Sequence, residues 1–370
     1  MTLSENLFFD LLRSGLWGKT PEMGALEVSD SDWKKVYKLS MEQTVAGLVT
    51  DGAALCPSGF VPRDMSMRLM SLLVSVERRN AVVNTTLSRV VSLFDEAGIP
   101  VILVKGQAVA QCYIHPQGRM PGDIDLIVQP EQYESAKTAL ASISEKLESE
   151  DSDKMHFGAF IGDLEVELHG TVHTSLGNKV NDVLDYAQAE LFRSGGCRAW
   201  ECRGVQVRVP SIDFDALFIF AHLLQHFYCG GLGLRQLCDW ARVLHTHCGR
   251  IDVPLLERRL SDMGLMTEWK AFVAFLVKYL ALPPDEAPLY EPRYEAKADR
   301  LWGFMEKVGN FGKKRQRRDR RNDPYLIRKM ESFFINSGDF FRHARIFPLD
   351  SIKFFWNYFI TGTKTVIKGA

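Results

Sequence analysis

The chain has 370 residues, room for two or three structural units with a substantial core, and its net charge of −1 argues against a nucleic-acid coat protein or polyanion binder. Seven cysteines, odd in number, scattered and without a CxxC pair, fit free thiols in a reducing cytoplasm. No apolar run approaches the roughly 18 residues that span a bilayer, and the start MTLSENLFFDLLRSGLW has no basic stretch before its apolar residues, so a cytoplasmic protein is expected.

Residues 1–95 read as helical. Asp30 or Ser31 is the expected cap before Asp32 and Trp33, and Val83, Leu87, Val90 and Phe94 form one apolar stripe on a later helix that Gly98 stops. No chemistry is visible there, and packing against a following sheet is the expected role. The next stretch, 101–128, combines an apolar run, glycine turns and close carboxylates. Residues 101–104 read as a buried strand, Lys105 and Gly106 as a turn, and 107–113 as a short helix whose first N–H groups, with the Lys105 ammonium, face an anion. Arg119 adds a second cation. Residues 123–128, DIDLIV, read as a second strand, and its period of two puts Asp123 and Asp125 on one face. Two such carboxylates repel unless cations bridge them, and hard oxygen ligands beside a glycine turn and basic residues suit Mg²⁺ carrying nucleotide phosphates.

Residues 131–150 show helical spacing, and 155–161 with 164–169 read as a hairpin turning at Gly162 and Asp163. In LEVELH the alternation puts Leu164, Val166 and Leu168 on one face and Glu165 and Glu167 on the other. A third acid on a neighbouring strand favours nucleotidyl transfer over the phosphatase form of DxD, which needs a hydroxyl soon after the second aspartate, where this chain has Leu126, Ile127 and Val128. Residues 205–209 are expected to add a last strand before Pro210 closes this unit.

From Ser211 the pattern turns helical, capped by Ser211 or Asp213 and running into LFIFAHLLQHFYC. His222, Gln225 and His226 share one face, either as an internally bonded polar stripe or as a wall of a cleft; HLLQH lacks the glutamate and third ligand of a zinc site. Arg235 and Asp239, four apart, are either a helix-surface ion pair or cleft residues. Gly231, Leu232 and Gly233 follow a helix instead of a strand, which excludes a Rossmann loop. His245, His247 and Cys248 sit near Gly249 as a helix C-terminus. Residues 255–282 read as two helices, followed by Pro283, Pro284 and a proline-rich linker to Pro292. From Lys313 to Arg321, KKRQRRDRR carries eight charges, seven of them basic, and reads as a solvated loop in preference to an RNA surface. IKFFWNYFI at 352–360 reads as a docking helix.

The segments VILVKG, RMPGDIDLIV and VELHG, followed by LFIFAHLLQHFYCGGLGLRQLCDWARVL, resemble over residues 96–245 the uncharacterised bacterial nucleotidyltransferase family of the DNA polymerase beta superfamily. The resemblance implies an α+β fold, a small mixed sheet at 96–210 flanked by helical segments at 1–95 and 211–370. It makes Asp123, Asp125 and Glu167 the carboxylates of two Mg²⁺ ions, with Mn²⁺ an alternative, and puts Lys105, Gly106, Gln107 and Arg119 on the nucleotide. His222, His226, Arg235 and Asp239 become acceptor-cleft candidates. Where the superfamily has Gly-Ser or Gly-Gly this chain has Gly106 and Gln107, and the spacer to the first aspartate is longer, so Lys105 or Arg119 is expected to replace the serine contacts. The implied reaction moves a nucleoside monophosphate from an NTP to an acceptor hydroxyl of a small molecule, protein or RNA end, releasing pyrophosphate. The alternative is a catalytically degenerate member that binds a nucleotide or a protein partner.

Overall fold

The computed structural model describes residues 1–21, 27–148, 150, 155–193, 195–229, 231–310, 340–348 and 351–352. Four helices come first: α1 (Leu3–Trp17), α2 (Asp30–Glu42), α3 (Ala46–Ala54) and α4 (Arg63–Glu96). The α2 cap is Ser29, not Asp30 or Ser31: the Asp32 N–H donates to Ser29 Oγ at 3.2 Å. The helix therefore starts at Asp30, which leaves Asp30 and Asp32 in the first turn, where the exposed N–H groups favour acids. Helix α4 carries the expected stripe, with Val83, Leu87, Val90 and Phe94 all buried, and the chain reverses at Gly98 with φ 67°.

Strand β1 (Ile102–Val104) and the short helix α5 (Gly106–Ala110) lead to β2 (Ile124–Ile127). Helix α5 stops before the expected Tyr113: the Cys112 and Tyr113 N–H groups donate three residues back, to the Val109 and Ala110 carbonyls, and Gln111 Nε2 takes the Gln107 carbonyl at 3.1 Å. The helix expected over 131–150 is also shorter. It is α6 (Tyr133–Ser142), and the chain then forms the edge strand β3 (Lys146–Leu147). Ser144 Oγ donates to the Leu140 carbonyl at 2.7 Å, claiming an acceptor that a continuing helix needs. The hairpin is as expected, β4 (His156–Ile161) and β5 (Leu164–His169) around Gly162 with φ 62°. The main sheet has the order β1-β2-β5-β4-β3, antiparallel except for the parallel pair β2–β5. Helix α7 (Asn178–Leu191) and strand β6 (Cys197–Cys202), neither anticipated, precede β7 (Val205–Pro210). The last strand thus exists, but it pairs with β6 in a separate two-stranded ribbon instead of extending the main sheet. Arg203 and Gly204, with φ 52° and 82°, supply the two left-handed residues of its tight turn.

The C-terminal half is helical, with α8 (Ile212–Cys229), α9 (Leu234–Thr246), α10 (Val253–Met263), α11 (Met266–Leu280) and α12 (Glu295–Val308). The molecule is thus α+β, a small mixed sheet among many helices. Alternation divides the apolar side chains between two cores. Leu103, Leu126, Val166 and Leu168 face α4 and α6, while Ile102, Val104 and Ile127 join a larger helical core on the opposite side. In that larger core Phe9 of α1 packs against Tyr279 of α11 and Trp302 of α12, with ring centroids 5.4 and 4.9 Å apart. Within the N-terminal segment it is α4 that meets the expectation of packing on the sheet, whereas α1 packs on the C-terminal helices. Helices α1 and α3 cross at Gly15 and Gly52, where an added Cβ would lie 1.9 Å from the carbonyl oxygens of Leu48 and Leu11 respectively. Only a hydrogen there permits this approach. No helix among the described residues is long and apolar enough to cross a membrane.

Candidate active site

Register sets the site. Val104 is opposite Asp125 on β2, and Asp125 is opposite Glu167 on β5, so the residues after β1 and the acids of two adjacent strands meet on one face of the sheet. Asp123 precedes β2 and joins them: one oxygen each from Asp123, Asp125 and Glu167 lies within 4.8 Å of the others. Lys105 occupies the turn with φ 54° and ψ −147°. That backbone region is essentially reserved for glycine and costs a side chain about 1–3 kcal/mol. Here it aims Lys105 Nζ at Asp125 Oδ1, 2.7 Å away, with His222 Nε2 of α8 at 3.1 Å. The acids line a cleft of about 410 Å³, shared with His222, Gln225 and His226 of α8 and Arg235 of α9. This volume falls in the range of small-ligand sites.

The electrostatics match the geometry. Repulsion from the Asp125 charge, then desolvation at the cleft wall, raises the Asp123 carboxyl above the ordinary range. Burial disfavours the charged Glu167, yet hydrogen bonds from His156 and His169 and the Lys105 charge outweigh it and hold this carboxyl well below its usual range. Burial opposes the Lys105 ammonium too, and the charges of Asp125, Asp123 and Glu167 more than offset it. On the opposite wall burial, then Lys105, pushes the His226 imidazole down to about 4, and His222 is likewise pushed well below its ordinary value.

His226 carries a pH prediction. Between its ordinary value of 6.5 and the folded value of about 4, the unfolded chain binds a proton that the folded chain refuses. The contribution of His226 to stability is therefore present above 6.5 and lost as pH falls toward 4. His226→Gln lacks this penalty, so its melting temperature relative to the parent should hold from pH 7.5 to about pH 6.5 and rise from there to pH 5, followed by thermal unfolding in parallel buffers. A difference independent of pH would contradict the half-buried neutral imidazole.

The structure brings together Asp123, Asp125, Glu167, Lys105, Gly106, His222, His226, Arg235, Asp239 and Arg119 around the cleft. It separates Gln107, whose side chain is buried and donates to Asn80 Oδ1 at 3.2 Å and Asn84 Oδ1 at 2.6 Å on α4, away from the cleft lining. Arg119 is committed as well: its Nε and Nη2 donate to Asp239 Oδ1 and Oδ2 at 2.7 and 2.8 Å. Tyr113 Oη donates to the same Asp239 at 2.7 Å. Asp239 is thus paired with Arg119, not with Arg235, whose Nη1 donates to the Met120 and Pro121 carbonyls at 3.1 and 3.2 Å. The stripe on α8 is both cleft wall and internally bonded, since Gln225 Oε1 accepts the Ser175 N–H at 2.7 Å. His247 ends α9 as its C-cap and contacts Arg198 Nη1 at 3.1 Å. Lys313 to Arg321 and residues 353–360 lie outside the described residues. Sequence reasoning missed His156 and His169, which line the cleft. His169 lies two residues after Glu167, and the alternation that found the acid also marks it.

Residues 29–280 match a family described as "Uncharacterised nucleotidyltransferase". The chain belongs to this nucleotidyltransferase family. Among solved structures it is similar to ANT(2")-Ia in complex with adenylyl-2"-tobramycin, at 15% identity and TM-score 0.35, over 50% of this chain and 97% of that one. It is also similar to an antigenic nucleotidyltransferase-like protein from Paracoccidioides brasiliensis, at 11% identity and TM-score 0.32, over 54% of this chain and 92% of that one. No curated protein matches the chain.

Proposed function

We propose that the protein transfers a nucleoside monophosphate from an NTP to an acceptor hydroxyl, releasing pyrophosphate. Membership of the family supports the reaction class, and the convergence of Asp123, Asp125 and Glu167 on one cleft is the observation that carries it. The donor set fits hard divalent cations: three carboxylates, one with its protonation raised by its neighbour, facing a cleft of nucleotide dimensions. Two Mg²⁺, or Mn²⁺ in their place, would there neutralise phosphate charge and lower the pKa of the acceptor hydroxyl. The chain's own part is alignment. Asp123 and Asp125 face the triphosphate side, Glu167 the acceptor side, and Lys105 and Arg235 present cations to the phosphates. Arg119 positions the segment before Asp123 by gripping Asp239 of α9. His226 borders the acceptor side as a neutral imidazole. The side chain at 107 offers no hydroxyl and turns away from the cleft, which favours the second reading, a member that binds nucleotide without turnover.

Lys105 gives the test of nucleotide orientation. A charge-assisted contact is worth about 1.5–3 kcal/mol, so Lys105→Ala should weaken Mg²⁺-NTP binding roughly tenfold or more and NMP binding far less. Equilibrium binding of labelled ATP and AMP reads the ratio. Equal losses would remove Lys105 from the β and γ phosphates.

A further inference from the structure

Beside the three acids, a second cluster has a different chemistry. His156 and His169 face each other across the β4–β5 ladder as directly paired residues, with ring centroids 4.7 Å apart. Each presents Nε2 to the same atom, Glu167 Oε2, at 3.4 Å. One ligand atom each from His156, Glu167 and His169 lies within 4.8 Å of the others. Gly158, opposite Glu167 on β4, adds no side chain between them. All three residues line the cleft.

We infer that His156, Glu167 and His169 form a binding site for a divalent transition ion of the Zn²⁺ class, which shares Glu167 with the all-carboxylate Mg²⁺ position and differs from it in its two imidazoles. The spacing supports this. The hydrogen bonds of His156 and His169 to Glu167 are stretched: charge-assisted N–H to carboxylate bonds close to about 2.7–2.9 Å, and both here measure 3.4 Å. Ligands about 2.1 Å from a tetrahedral Zn²⁺ stand about 3.4 Å apart along the tetrahedron's edge. Two imidazoles with one carboxylate suit borderline ions, whereas Mg²⁺ favours oxygen alone. Three protein ligands and an open side toward the cleft match the arrangement in which a fourth position is left for water or a substrate group. His169 Nε2 is also 3.3 Å from Asp125 Oδ1, so this site directly adjoins the Asp123–Asp125 pair.

The experiment is a Co²⁺ titration of the metal-free full chain, read by visible d–d absorption and by calorimetry. A saturable band at one equivalent is expected, bleached by Zn²⁺ at far lower concentration than by Mg²⁺. His156→Gln should weaken Co²⁺ binding at least roughly tenfold, since even residues that only support metal ligands are worth 10–100-fold. His156→Cys should retain the ion and add a thiolate-to-cobalt charge-transfer band. Asp123→Asn, which lacks an acid of the Mg²⁺ position but none of this triad, should keep the Co²⁺ band. Loss of NTP binding in that variant with the band intact therefore separates this site from the nucleotide-transfer reading. The inference is overturned if the parent shows no saturable band, if Mg²⁺ displaces the ion as readily as Zn²⁺ does, or if a folded His156→Gln binds Co²⁺ as tightly as the parent. Should His156→Gln not fold, the absence of the charge-transfer band in His156→Cys overturns it equally.

Discussion

Asp123→Asn should abolish metal-dependent nucleotide transfer and at the same time make the metal-free protein more stable, whereas Asp125→Asn should abolish transfer and make it less stable. Both acids stand in the proposed cation site, and removing one preorganised electrostatic group of this kind costs about 10²–10³-fold in turnover. Their surroundings differ. Asp123 is exposed at the cleft and is perturbed first by the Asp125 charge, so neutralising it relieves repulsion. Because the folded carboxyl of Asp123 is raised, the parent regains this stability as pH falls through the raised value, and the gap to Asp123→Asn should close in acid. Asp125 is buried and is the 2.7 Å partner of Lys105. Its loss leaves a largely buried ammonium with His222 Nε2 at 3.1 Å and only the more distant charges of Asp123 and Glu167, a cost of about 3 kcal/mol, the low end for breaking a buried pair. Urea unfolding in EDTA measures both signs. Equal destabilisation by the two substitutions would contradict the division of roles.

Arg119→Ala should cost about 3–5 kcal/mol of folding stability, the penalty for leaving a buried charge without its partner. The Arg119 and Asp239 side chains are only 5% and 10% exposed, and the pair is bidentate. Arg119→Lys should recover little, because a single ammonium cannot reproduce the fork. Arg119→Met combined with Asp239→Leu and Tyr113→Phe should recover most of the loss, since replacing both ions and the hydroxyl bonded to them by apolar groups is often nearly neutral. The same segment is held from the other side by Asn80 of α4, whose Nδ2 donates to the carbonyls of Gln117 and Arg119 at 2.7 and 2.8 Å. Loosening it displaces Asp123, so activity should fall with stability in Arg119→Ala. Denaturant midpoints of the three variants decide the matter. A loss below about 1 kcal/mol for Arg119→Ala would show that the pair is an ordinary surface ion pair.

The legible parts of the sequence were those written in local periodicity. LEVELH alternates strictly and DIDLIV does so over its first four residues, so each strand and the face of its acids follow from period two, and the parallel register then brings Asp125 opposite Glu167. The stripe from Val83 to Phe94 was equally plain. What stayed hidden depends on partners far along the chain. The commitment of Arg119 to Asp239, 120 residues later, and of Gln107 to Asn80 and Asn84, 27 and 23 residues earlier, leaves no local trace. Single-chain spacing made Arg235 and Asp239 a natural pair, but the buried guanidinium of Arg119 supplies the bidentate geometry that the helix surface does not. Strand β6, CRAWEC, mixes charges with its apolar residues and gains its identity by pairing with β7. His156 was unreadable until the β4–β5 register placed it against His169.

The most direct measurement of the central claim is calorimetric titration of the full chain with each of the four NTPs, with and without Mg²⁺, on the parent and on Asp123→Asn. The account predicts that the parent binds at least one NTP in Mg²⁺ and not in EDTA, and that Asp123→Asn, folded and more stable, binds none in either. Binding that is indifferent to Mg²⁺, or undiminished by Asp123→Asn, would contradict it.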